Sequence, residues 1–461
     1  MEAAMANVDL GRYRRIVQMF WDPEPTNDAS LDQPVWCLGR SYKLHNAKEV
    51  QASKRSDQHS SSDKTTRATP PATSHSSASD GDPESGVLVS ATYTPDTPPD
   101  STSSSFSSSL AYEEQAQEDG RWPQGFIDDF ESRLWMTYRS DFELIPKAVD
   151  PKAASSLSLS MRIKSQLSDQ AGYSSDSGWG CMIRSGQSLL ANAILCLRLG
   201  RDWRRGMNSQ EERKIISLFA DDPRAPYSLH NFVRHGEEAC SKYPGEWFGP
   251  SATARCIQAL ANSTEPELRV YSTGDGPDVY EDKFMRIARP EGGAFHPTLI
   301  LIGTRLGIDK ITPVYWEALV AALQIPQSIG IAGGRPASSH YFVGAQGSFL
   351  FYLDPHHTRP ALPYHADPAL YADEDVASCH TTRLRRIHVR EMDPSMLIGF
   401  LIHSEQDWHD WRRNVKHVQG KAIIHVSDSD PTTSGSVEGR EAAIDEVETL
   451  SDDDVDTVNG F

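Results

Sequence analysis

The residues with the clearest chemical potential lie in the run Asp176-Ser177-Gly178-Trp179-Gly180-Cys181-Met182-Ile183-Arg184-Ser185-Gly186-Gln187. Apolar residues at 182, 183, 189, 190, 194 and 197 predict a helix from Cys181 to Leu199, which puts Cys181 in its first turn. Unpaired N–H groups and the positive end of the helix dipole stabilise an anion there. A thiol so placed loses its proton more easily, and the thiolate is the nucleophile. Gly178 and Gly180 let backbone approach a substrate closely. A nucleophilic thiol needs an imidazole, and the imidazole needs an orienting group. Leu353-Asp354-Pro355-His356-His357 offers both. In extended chain, residues two apart project to the same side, so Asp354 and His356 face each other while Pro355 fixes φ between them. Two other readings of this cluster stay open: a chance loop tripeptide, and a metal centre built on Asp354, His356 and His357, which lacks a second cluster to complete its shell. Among the remaining cysteines, Cys196 reads as inert core of the same helix, and Cys240 and Cys256 have no comparable setting.

Several elements must hold these groups. The pattern predicts a helix over Phe126 to Arg139, a strand at Leu299 to Ile302 and a helix at Val314 to Leu323. Ser339 to Ala345 and Ser348 to Leu353 read as a β-hairpin around Gln346-Gly347, its second strand leading straight into Asp354. Helices early and strands late predict an α+β domain. Further upstream, Tyr13, Ile16, Val17 and Phe20 fall at helical spacing before Pro23 and Pro25, and Val35 to Gly39 reads as a short strand or docking segment.

Composition separates the folding part from the rest. The chain has 461 residues with 45 Lys+Arg against 64 Asp+Glu, a formal charge of −19, and only 38% hydrophobic residues. Residues 51–110 hold 26 Ser+Thr and six Pro. Such a segment buries too little surface to offset its ordering entropy and is expected to be disordered. Its Thr-Pro steps at Thr69, Thr94 and Thr97 are candidate proline-directed phosphorylation sites or chance pairs. Residues 427–461 hold 11 Asp+Glu and one Arg, a second segment expected to be disordered. The expected organisation is therefore a segment 1–50 docking on the core, a Ser/Thr/Pro-rich insertion 51–120, a catalytic domain 121–426 and an acidic tail 427–461. The acidic balance argues against a broad nucleic-acid surface, which needs a basic face. No run approaches the roughly 20 apolar residues of a membrane span, and the N-terminus lacks the apolar core of a secretory signal. Six cysteines without a C-x-x-C pair point to reduced thiols rather than a disulfide scaffold.

The run from Asp176 to Gln187, with His340-Tyr341-Phe342 through Asp354-Pro355-His356, strongly resembles the autophagin family, the cysteine proteases that process the ubiquitin-like autophagy modifier. The resemblance covers about residues 121–415 and the segment Pro34 to Gly39. It implies a papain-like fold with a small auxiliary subdomain, with Cys181 as nucleophile, His356 as base and Asp354 as orienting carboxylate. It implies an oxyanion-hole role for Tyr138 in Leu134-Trp135-Met136-Thr137-Tyr138-Arg139, where a half-buried structural tyrosine is the alternative. Trp247 matches the tryptophan flanking the substrate channel, with plain core as its alternative. Pro336, in Arg335-Pro336-Ala337-Ser338, matches the mobile loop covering the active site; the two would wall a slot too narrow for residues larger than glycine. Some relatives carry a redox-suited cysteine where this chain has Ser185, which puts that form of control in doubt.

The resemblance implies cleavage of the modifier's C-terminal extension after glycine, and of the amide joining that glycine to phosphatidylethanolamine, without metal or other cofactor. It implies peripheral membrane contact through the substrate and a cytoplasmic location, at the preautophagosomal structure, with the nucleus as a further compartment. Rival readings are a thiol protease for ubiquitin or another modifier, and a catalytically idle scaffold. Phe142-Glu143-Leu144-Ile145 and Trp316-Glu317-Ala318-Leu319 match the aromatic-x-x-aliphatic pattern that the modifier binds as an added strand, although both fit core better.

Overall fold

The computed structural model describes residues 24–27, 33–43, 122–167, 171–336 and 338–431. The helix expected over Tyr13 to Phe20, the insertion 51–120 and the tail beyond Pro431 lie outside the described residues.

The centre is a nine-stranded sheet: β1 (Val35–Cys37), β2 (Arg40–Tyr42), β3 (Arg269–Ser272), β4 (Thr298–Arg305), β5 (Ser328–Arg335), β6 (Ser338–Gln346), β7 (Phe349–Leu353), β8 (Arg386–His388) and β9 (Ser395–Ile402). Its order is β8-β7-β6-β5-β9-β4-β3, with β1 on β6 at Trp36↔Ala345 and Cys37↔Gly344, and β2 on β1. Only β3 and β4 run parallel; the other pairs are antiparallel. Both faces are covered. Leu299 and Leu301 join a cluster with residues of α1 (Cys181–Leu199) and α2 (Pro250–Thr264). Ile300 and Ile302 join the opposite one, with α3 (Glu281–Ala288), α4 (Trp316–Ala322) and α5 (Glu405–Lys416). Phe284 of α3 stacks on Trp408 of α5 with ring centroids 4.0 Å apart. This period-two division explains why the β4 and β9 sequences are nearly continuous apolar runs. Gly399 in β9 lets α1 sit close: a Cβ there would lie 3.1 Å from the Leu189 side chain.

The hairpin and the strand at Leu299 fall where the spacing puts them, with Gly347 in the left-handed turn (φ +54°). The helix expected over Phe126 to Arg139 is much shorter, Gln124–Glu131, and is followed by extended chain. Tertiary hydrogen bonds override the helical pattern. Leu134 N–H donates to Asn192 Oδ1 (3.0 Å), Trp135 N–H to the Cys379 carbonyl (2.8 Å) and Met136 N–H to Ser188 Oγ (2.9 Å).

The expected boundary at Val426 also moves. Val426 lies inside a strand, His425–Ser427, that pairs with Asp278–Tyr280. Beyond it, the Asp428 carbonyl accepts from Asp282 N–H (3.1 Å), its carboxylate pairs with Arg412, and buried Asp430 pairs with Lys283. Ending the chain at Pro431 should therefore leave the thermal midpoint unchanged, whereas ending it at Val426 should lower it by about 3 °C. Equal midpoints for the two truncations would show that residues 427–431 contribute nothing to the fold.

Candidate active site

Cys181 opens α1, the helix packed on β5 and β6, and is only 2% exposed. The turn before it is held by Asp176, whose carbonyl accepts from Trp179 N–H (3.1 Å) and Gly180 N–H (2.9 Å). Gly180 has no substitute here, because a Cβ would lie 2.4 Å from Asp176 Oδ2. The Asp176 carboxylate accepts from Arg139 N–H (2.7 Å) and from Arg184 Nε (2.7 Å). Arg184 also meets Asp221 Oδ1 (2.8 Å), and Asp221 Oδ2 accepts from Leu362 N–H (2.8 Å). All four side chains of this network, Asp176, Arg184, Asp221 and Arg139, are buried.

The second half of the site follows β7. Asp354 Oδ1 accepts from both the backbone N–H (3.0 Å) and Nδ1 (2.7 Å) of His356. That fixes the Nδ1–H tautomer or the imidazolium and leaves Nε2 for Cys181, with which His356 makes a hydrogen bond. The extended chain after the short helix clasps this segment. Trp135 Nε1 donates to the Asp354 carbonyl (2.8 Å), Thr137 Oγ1 to that of Pro355 (2.6 Å) and Tyr138 N–H to the same carbonyl (2.9 Å). Asn192 and Ser188 hold that chain in turn, so one helix carries the nucleophile and the supports of its base.

Electrostatics favour an ion pair. Burial would raise the Cys181 pKa, but the hydrogen bond and charge of His356, the Ser339 backbone and the Tyr138 hydroxyl bring it below the ordinary thiol value. Burial opposes charge on His356, yet Asp354 and then Cys181 raise it to about 9. Asp354 resists its own burial through the same hydrogen bond and stays well below the usual carboxylate range. The contrast with the other thiols is sharp. Burial pushes Cys37 and Cys379 up, and the Cys240 thiol together with burial pushes Cys256 up. Cys181 is pulled down where these three are pushed up.

Tyr138 is 6% exposed, its ring edge-on to His356 at 5.3 Å, and its hydroxyl interacts with Cys181 while accepting from the Gly178 backbone. His357 is exposed and turns away: its ring stacks on Trp135 and its carbonyl accepts from Thr137. The metal reading with His357 is thereby corrected. Among the described residues, the side chains close enough to share an ion are His340, Asp354 and His356, and the hydrogen bond between the last two already occupies the facing atoms.

Pro336 is exposed in the turn between β5 and β6, and Ser338 beside it sets its hydroxyl 3.3 Å from His356 Nε2. Trp247 is half-buried against the core in the loop leading to α2, and no hydrogen bond or ring contact joins it to Cys181. Both modifier-binding matches are internal: Phe142 and Ile145 are each 5% exposed and Leu319 is fully buried. Sequence reasoning missed the Arg184–Asp221 pair and His340, which is 5% exposed, with Nε2 3.8 Å from Asp354 Oδ1. A signal existed for the first: Arg184, Ser188 and Asn192 form a polar stripe at four-residue intervals along a largely apolar helix.

The ion pair fixes a pH dependence. It is lost below the Cys181 pKa by protonation and above that of His356 by deprotonation. The profile of kcat/KM should be bell-shaped, with its acid limb below the ordinary thiol value and its alkaline limb near about 9, both apparent values belonging to the pair. A single rise near the free-thiol value with no alkaline limb would contradict the pairing.

A family model described as the Peptidase C54 catalytic domain matches residues 123–414. The chain is 66% identical over 485 aligned residues to "Cysteine protease ATG4" of Gibberella zeae, with 100% of each chain covered. It is 60% identical to the protein of the same name from Pyricularia oryzae, with 99% of each covered. It is 59% identical to "Cysteine protease 1" of Neurospora crassa, covering 98% of this chain and 93% of that one.

Proposed function

This chain belongs to the peptidase C54 family of papain-like cysteine proteases, and we propose that it cuts the C-terminal extension of the ubiquitin-like autophagy modifier after a glycine and frees the modifier from phosphatidylethanolamine. The observation carrying the reading is the buried Cys181–His356–Asp354 arrangement with its depressed thiol. The Cys181 thiolate attacks the glycine carbonyl. The oxyanion that forms is met by the Tyr138 hydroxyl and by the Cys181 backbone N–H, one of the first-turn donors without an intrahelical partner. On collapse the C–N bond breaks and His356 gives its Nε2 proton to the leaving amine, an α-amine of the extension or the ethanolamine nitrogen of the lipid. Water, deprotonated by His356, then hydrolyses the thioester and returns the thiol. Asp354 keeps the imidazole oriented throughout.

Because Cys181 is nearly inaccessible, substrate must displace the turn carrying Pro336 and Ser338, breaking the contact between Ser338 and His356. A glycine tail passes where larger side chains clash, with Trp247 and Pro336 as the assigned walls. Such a substrate places the enzyme in the cytoplasm, at the preautophagosomal structure. A panel of precursors tests the assignment: the autophagy modifier should be cleaved and a ubiquitin precursor left intact. Preferential cleavage of ubiquitin would replace this reading with its rival.

A further inference from the structure

Leu144 (40% exposed), Val149 (97%), Leu159 (73%) and Ile163 (49%) all fall in one excursion, residues 139–175, which opens with the strand Arg139–Pro146 that carries Leu144 and closes with the strand Gly172–Ser175. The other large apolar side chains with comparable exposure, Met207, Ile308, Val314 and Leu370, are scattered along the chain, as is ordinary for a protein surface.

Within the excursion the helix Leu159–Leu167 is apolar on opposed sides. Met161 is 3% exposed and faces the nucleophile turn, where a Cβ on Gly178 would lie 3.8 Å from its sulfur. Leu159 and Ile163, one helical turn apart and on the other side, face outward. A helix of that kind needs a second apolar neighbour. The charge of the excursion narrows what that neighbour is. In sequence, residues 144–163 carry Lys147, Lys152 and Arg162 against Asp150, a net of +2 in a chain of −19. The Arg162 guanidinium is held at the helix start by the Leu157 carbonyl (2.8 Å). Exposed apolar side chains in a cationic segment match the boundary of an anionic bilayer, where the former enter the acyl region and the latter meet phosphates.

We propose that residues 144–163 form a membrane-contact element, with Val149, Leu159 and Ile163 entering an anionic lipid surface. The excursion begins immediately after Tyr138 and ends immediately before Asp176. Its contact therefore brings the nucleophile turn to a bond lying at that surface. The purpose assigned to it rests on the lipid-amide reading above; the lipid binding itself does not.

The test uses the full chain carrying Cys181→Ser and vesicles free of any modifier, made of phosphatidylcholine alone or with phosphatidylserine. The parent should sediment with the anionic vesicles, less as salt is raised. V149D/L159D/I163D should bind at least about tenfold more weakly. In the active chain the same three changes should leave cleavage of soluble precursor within about twofold. Equal vesicle binding by parent and variant, or none by the parent, overturns the proposal. So does a raised KM for soluble precursor with vesicle binding intact, which would make the patch a dock for the modifier protein. Loss of vesicle binding in the variant alongside an active, Cys181-bearing chain that cuts no precursor would support the membrane element while defeating the substrate reading.

Discussion

Cys181→Ser should reduce precursor cleavage to below about 1% of wild type while leaving the fold intact, because the hydroxyl is a far poorer nucleophile at neutral pH. The site gives the serine nothing it can use: the thiol is depressed by His356 and Tyr138, whereas a hydroxyl stays protonated there. His356→Ala should be about as severe, since removal of a triad member costs several orders of magnitude in rate. His357→Ala should be mild, its ring lying on Trp135 rather than toward Asp354. Single-turnover rates on purified variants, with circular dichroism to check folding, decide the matter. Reversed effects at the two histidines would mean that Asp354 orients the wrong neighbour.

The largest loss of stability should come from Arg184→Met. The guanidinium lies between Asp176 and Asp221, all nearly solvent-free. Its removal leaves two buried carboxylates competing for what remains, chiefly Arg139, whose Nε is 3.9 Å from Asp221. Breaking a buried pair from one side typically costs 3–5 kcal/mol, so unfolding should shift by about that amount in a denaturant titration. Asp176 also shapes the turn at Gly180, so the surviving folded fraction should have a lower kcat. A variant as stable as wild type would mean that the network is energetically idle, and that the turn is held by its backbone bonds alone.

The juxtaposition of Cys181, His356 and Asp354, the candidate catalytic set, was legible because each half is local. The amphipathic spacing of α1 places Cys181 at a helix start, and an extended Asp-Pro-His brings its first and third side chains to one side. The papain-like α+β frame followed from the resemblance carried by those motifs. What sequence hid was distant pairing. Residues 132–138 follow a helical pattern, yet their backbone partners are Asn192, Ser188, Cys379 and Pro355, far along the chain. β5 carries no alternating apolar pattern, with glycines at 330, 333 and 334; a Cβ at Gly334 would lie 1.9 Å from the Ser338 carbonyl oxygen, so the close pairing with β6 demands glycine there. Nothing local to Arg184 announces its partner Asp221, 37 positions away. The acidic tail concealed an anchored stretch through Pro431, because strand pairing with Asp278–Tyr280 outweighs local composition.

On the proposed function, Cys181 cuts a modifier chain after glycine. The most direct measurement is intact mass spectrometry of the autophagy-modifier precursor after incubation with the wild-type chain and with its Cys181→Ser variant. One truncated product is expected, its mass ending at the glycine carboxylate, formed only by the wild type. An unchanged precursor mass with the wild type, a cut elsewhere in the tail, or the same product from Cys181→Ser would contradict it.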